Sequence, residues 1–210
     1  FPRQRSLLEQ NSFMAYNKSM AKTINQKSLF AVITLSSAVG FLASFLQMLE
    51  KLVLLKNANS VLTCNINSVF SCSNILNAHQ SSVFGFPNSL LCISFFAVML
   101  SAGLVGWTGG VINTKLRLVY EAIALFFVGF GFWYFWQSIF NIGSMCIYCV
   151  FCYGSVLAIS GAWFRLNYRE FGFTKNYQSY INKFVDNGYD ILVWFLIAVV
   201  IFIEGIVKFR

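Results

Sequence analysis

Charge is what this chain has least of. Asp, Glu, Lys and Arg together make up 10% of its 210 residues, where a soluble domain carries about 25%. Apolar side chains fill the gap: 58% of residues are hydrophobic and 18% aromatic. A water-soluble domain is excluded as the default, and a membrane protein takes its place. Histidine is nearly missing as well. The single one, His79, has neither triad partners nor companion metal ligands in the sequence, so it reads as a solvated loop residue rather than a base. Carboxylates deep in an apolar run are also lacking. Glu121 lies near one end of its run, able to snorkel towards Arg117 or Lys115, and Glu204 is placed to pair with Lys208 at i+4. Neither reads as part of a proton path, which counts against a pump or transporter. No repeat, low-complexity stretch or linker to a second domain is evident. Nor is there a cleavable signal, because the first apolar run is too long and lacks a small-residue cleavage site.

What is present is long apolar runs. A bilayer crossing takes about 20 residues, and five stretches qualify: Leu29–Leu49, Phe86–Trp107, Leu118–Phe140, Cys146–Leu166 and Ile191–Val207. In hydrocarbon each backbone polar group must be satisfied within its own segment, so all five are expected to be helices. The fold class is all-α. Residues 1–28 read as a polar tail or short surface helix, 29–166 as the membrane domain with an outer loop at 50–85, and 167–210 as a connector plus the fifth helix. Within the loop, Ser71-Cys72-Ser73-Asn74-Ile75-Leu76 suits a short helix capped by Ser71 or Ser73.

Basic residues orient the chain. Eleven of the fifteen fall on one side: five in the N-terminal tail, Lys115 and Arg117 between spans two and three, and four between spans four and five. Lys51, Lys56, Lys208 and Arg210 fall on the other. The positive-inside bias puts the N-terminus in the cytoplasm. That bias accounts for the net charge of +8 without any nucleic-acid partner.

The chemistry lies in the cysteines. Cys146 and Cys149 form a Cys-x-x-Cys at the mouth of the fourth span, and Cys64 and Cys72 form a second pair in the outer loop. Both pairs fall on the outer face, where disulfides persist. Unpaired amides and the dipole at a helix N-terminus favour a thiolate, and Cys146 is the better placed of its pair to be one. Taken alone, Cys64 and Cys72 read as a structural disulfide. Two pairs within reach of one another also permit a relay of electrons, and a four-thiolate zinc site is a third reading. Cys92 and Cys152 read as buried packing residues, with Cys152 also able to line a pocket. The aromatic run Phe126–Trp136 reads first as an interfacial belt, with Trp133, Tyr134 and Trp136 at the membrane surface.

The order of features resembles the vitamin K epoxide reductase family, and its bacterial members in particular. A first span is followed by the outer-loop Cys64-x7-Cys72, then Phe84-Gly85-Phe86-Pro87 leading into the second span, then Cys146-x-x-Cys149 opening the fourth. The likeness covers roughly residues 29–166. It implies a four-helix bundle around a quinone (ubiquinone or menaquinone) in a bacterial inner membrane, with the cysteines on the periplasmic side. It further implies that Cys64 accepts electrons from a thioredoxin-fold protein, that Cys72 exchanges with Cys146, and that Cys149 faces the quinone. Tyr153 matches a tyrosine lining the quinone pocket of animal members, and Asn88 an asparagine bonded to a quinone carbonyl.

Two features depart from the family pattern. Ala78 stands where a serine is common, leaving Ser81 or Ser82 as substitutes. The thioredoxin-like domain fused to many bacterial relatives is also missing, so the partner is expected to be a separate protein. The reading that results is a membrane thiol oxidase delivering electrons to quinone, with no metal. The alternatives are a thiol-driven reductase of a quinone or quinone epoxide, and a scaffold or metal-binding protein with structural cysteines.

Overall fold

The computed structural model describes residues 2–57, 60–66, 70–168, 170, 175–190 and, beyond them, 193, 194, 196, 197, 199 and 200. Helix α1 spans Pro2–Lys56, α2 Cys72–Asn77, α3 Asn88–Trp107, α4 Thr114–Gln137, α5 Ile147–Asn167 and α6 Lys175–Asp186. Among the described residues there is no strand, only one isolated parallel bridge between Phe70 and Met145. The all-α expectation holds.

Among the described residues, four segments are long and apolar enough to cross a membrane: Gln26–Lys56, Asn88–Trp107, Thr114–Ile142 and Ile147–Asn167. They correspond to the first four expected spans. The expected fifth, Ile191–Val207, lies for the most part outside the described residues. Helix α1 runs without a break through the expected boundary at residue 28 and continues past Leu49 to Lys56. The expected outer loop therefore begins as another two turns of helix, which carry Lys51 inward. The expected connector after α5 contains α6.

Local sequence explains the helix ends. Gly85 takes a left-handed φ of 81°, which costs glycine nothing, and Pro87 then occupies the N-cap position of α3. Asn113 caps α4, its side chain accepting from the Lys115 amide at 2.9 Å. After Gln137 the helix loosens into one π-turn, Ser138–Ile142, stopped by Gly143 at φ 69°. The expected Asn141–Met145 turn is thus partly helical, and the chain reverses at Gly143.

One core draws on all four long helices. Trp163 on α5, fully buried, meets Phe30 of α1 edge-on at 5.8 Å, and Phe95 of α3 stacks on Phe127 of α4 at 4.1 Å. Helix α1 lies closest to α3. A Cβ at Gly40 would come within 2.3 Å of the Phe96 ring, so the glycine is what lets the two helices approach. Lipid-facing residues such as Leu35, Leu42 and Phe126 stay exposed, as a membrane protein requires.

Glu121 is a correction. Expected to snorkel, it is 2% exposed, because its face of α4 packs on α5, where Asn167 donates to it at 2.8 Å. Arg117 pairs instead with Glu170 at 3.6 Å. A buried carboxylate is present after all, so its supposed absence is no argument against a transporter.

Candidate active site

The Phe70–Met145 bridge builds the site. The Ser71 amide donates to the Met145 carbonyl at 3.1 Å, and Asn74 donates to Ser144 at 2.9 Å. These ties lay the start of α2 alongside the start of α5, so Cys72 and Cys146, one residue further along each strand of chain, come face to face. Their sulfurs are 3.3 Å apart. Cys72 is bonded to Cys64 as a disulfide, while Cys146 and Cys149 are free thiols. Asn65 closes the loop, donating to Ser73 Oγ at 2.7 Å and accepting from the Ser73 amide at 3.2 Å. Helix α2 forms where expected with Ser71 at its N-cap, but no side-chain cap bond is made.

Cys146 occupies the N-cap position of α5. Its thiol is held below the usual thiol range, chiefly by a hydrogen bond from the Cys149 side chain. The amides of Cys149 and Tyr148 act in the same direction, and burial opposes them. The cysteines are covered: Cys64, Cys72 and Cys146 are 3%, 0% and 2% exposed. Cys64 can therefore be reached from solvent only after the loop moves.

Beneath the sulfurs lies a cavity with the half-buried Cys149 in its wall. Phe127, Phe130, Tyr134, Phe135 and Tyr153 line it. Tyr134 is thus a pocket residue rather than part of a surface belt, whereas Trp133 and Trp136 stay exposed, as expected. The face of α4 that packs on α5 decides which aromatics turn inward. The Tyr153 ring lies against α4 at Gly131, where a Cβ would sit 2.3 Å from it, and its hydroxyl donates to the Val128 carbonyl at 3.3 Å.

Asn88 lines the same cavity, but loop backbone engages its amide. It donates to Gln80 O at 2.8 Å and accepts from the Val83 amide at 3.3 Å, leaving one amide hydrogen over. Cys92 and Cys152 are both on the cavity wall. Ser81 rather than Ser82 reaches it, three residues after Ala78. His79 is exposed.

Sequence reasoning missed two residues of α1. The Gln47 amide donates to Cys149 Sγ at 3.2 Å, and one turn later Lys51 donates to the Leu76 carbonyl and to Ser81 Oγ at 3.5 Å. A polar pair at i and i+4 near the outer end of an apolar helix was the available signal.

A disulfide within exchange distance of a free dithiol, set at one end of four apolar helices, defines a membrane thiol oxidoreductase. The model of the vitamin K epoxide reductase family matches residues 31–162. The chain belongs to that family, whose enzymes use quinones. No curated protein matches it.

Proposed function

We infer that the protein is a membrane thiol oxidase of a bacterial inner membrane, passing two electrons from a periplasmic thioredoxin-fold partner to a membrane quinone. The observation that carries this reading is the 3.3 Å separation of the Cys72 and Cys146 sulfurs. At that distance the two pairs are within reach of thiol–disulfide exchange.

The steps balance as follows. A partner thiolate attacks Cys64 and displaces the Cys72 thiolate. Cys72 attacks Cys146 of an oxidised inner pair and displaces the Cys149 thiolate. The partner's second thiol frees Cys64, leaving the partner oxidised. Cys64 then attacks Cys72 and releases Cys146. A leaving thiol of lowered pKa departs faster, which suits Cys146 to this last step. The result is a closed Cys64–Cys72 bond and an open inner dithiol, the arrangement seen here.

The cavity fits a quinone. Aromatic walls suit a flat ring, and Lys51 together with the remaining Asn88 amide hydrogen provides donors for ring oxygens. A bound quinone accepts two electrons and two protons and leaves as quinol. Of the two redox pairs Cys149 contributes the sulfur on the cavity wall, Gln47 holds that sulfur in place, and Tyr153 forms a wall.

The test is a trap. Without Cys64 and Cys149, Cys72 and Cys146 have only each other, so C64S/C149S should accumulate a Cys72–Cys146 disulfide, read by peptide mass spectrometry after free thiols are blocked. Absence of that bond under oxidising conditions, with the fold intact, would sink the relay. In the wild-type background, serine at Cys146 or at Cys149 should abolish quinone-dependent thiol oxidation.

A further inference from the structure

We propose that Lys51 is the residue by which the cavity recognises a ring oxygen carrying negative charge, a role that rests on the quinone reading above. Lys51 lies on α1 one turn beyond Gln47 and lines the cavity with it. Its acceptors are the Leu76 carbonyl and Ser81 Oγ, both from cavity-lining residues, and both uncharged. Among the described residues no carboxylate lies within ion-pairing distance of it. Glu50, its neighbour in sequence, instead accepts a hydrogen bond from Thr63.

An ammonium has three N–H donors, so two neutral acceptors leave one donor and the whole positive charge uncompensated. Half-buried beside an apolar cavity, that charge favours an anion in the same space over a neutral ligand. Gln47 and Lys51 then divide the work. The neutral amide serves the sulfur from which electrons leave, and the cation serves the oxygen on which charge collects. The i, i+4 spacing puts both on one face of α1. The ligand class follows: planar aromatic rings bearing an ionised oxygen, with the neutral ring of the same shape bound less tightly.

The experiment uses the full chain in detergent or nanodiscs and follows tryptophan fluorescence quenching by two probes. These are 2-hydroxy-1,4-naphthoquinone, ionised at neutral pH, and its neutral 2-methoxy analogue. Wild type should bind the ionised ring about tenfold more tightly, the lower end of what a hydrogen bond to a charged group contributes. K51Q, whose amide can still donate to either ring but carries no charge, should lose that preference. K51R should keep most of it. Thermal unfolding and the intact Cys64–Cys72 bond report that each variant is folded. An equal preference in wild type and K51Q would overturn the role of Lys51 while leaving the quinone site standing. If neither ring bound wild type, both the role and the quinone reading would fall.

Discussion

At Cys146 opposing influences meet in one thiol. Burial pushes its pKa up, while the Cys149 side chain and two amides at the start of α5 pull it down, and the pull prevails. Thiolate forms as pH rises through the pKa, so alkylation of Cys146 by a small reagent should reach half its maximal rate below the value of about 8.5 for a free cysteine. Cys149→Ala removes the largest of the favourable influences and should move that midpoint upward; an unmoved midpoint would contradict it. Gln47 offers a second residue-scale prediction. Its hydrogen bond to Cys149 serves a sulfur that must carry charge, so Gln47→Leu should slow alkylation of Cys149 about tenfold at neutral pH. Rates measured by mass spectrometry in a Cys146→Ser background check it. Exchange between the partner and the loop pair should be unaffected, since Gln47 does not touch that pair.

The elements matter through two short connections. The turn that reverses at Gly143 and the bridge from Phe70 to Met145 set the separation of the two cysteine pairs. Neither involves a long helix. On the proposed relay the segment around Cys64 has the opposite task, because it keeps the disulfide covered and yet must open to a partner. Asn65 is its clasp, with two side-chain bonds to Ser73 that are exposed to solvent. Each such bond contributes about 1 kcal/mol. Asn65→Ala should therefore speed reduction of the Cys64–Cys72 bond by a soluble phosphine several-fold, followed by gel shift after alkylation. An unchanged rate would mean that other contacts keep the loop shut. Exposed Val61 and Ile66 flank Cys64 on this segment, so the part that must move also presents apolar side chains outward.

For the whole molecule the decisive property is sidedness. The cysteine pairs lie at one end of the packed helices, and Arg117, Glu170 and the Arg165–Asp190 ion pair lie around the other ends of α4 and α5. On the proposed topology, with the N-terminus in the cytoplasm, a membrane-impermeant maleimide added to intact, pre-reduced spheroplasts should label Cys64, while a tag at the N-terminus stays protected from added protease. Labelling of Cys64 only after lysis would reverse the assigned topology. The part-buried pair between Arg165 and Asp190, at 2.5 Å, ties α5 to the chain beyond α6.

Composition alone was enough for the class, because a chain with 10% charge and 58% hydrophobic residues cannot cover itself with polar groups. Apolar run length located four helices, since a bilayer imposes one length on all of them. Cysteine spacing exposed both pairs. Their relation came only with the family resemblance and not from spacing: Cys72 and Cys146 are 74 residues apart, and the bridge and turn that bring them to 3.3 Å have no periodic signal. Helix facing was equally hidden. An all-round apolar helix carries no stripe to show which side packs, so Tyr134 read as belt and Glu121 as a snorkelling surface group until α5 was in place against them. In the sequence Gln47 carried no reading and Lys51 served only to orient the chain. Only the packing of α1 against the loop and α5 turned them onto the sulfur and the cavity.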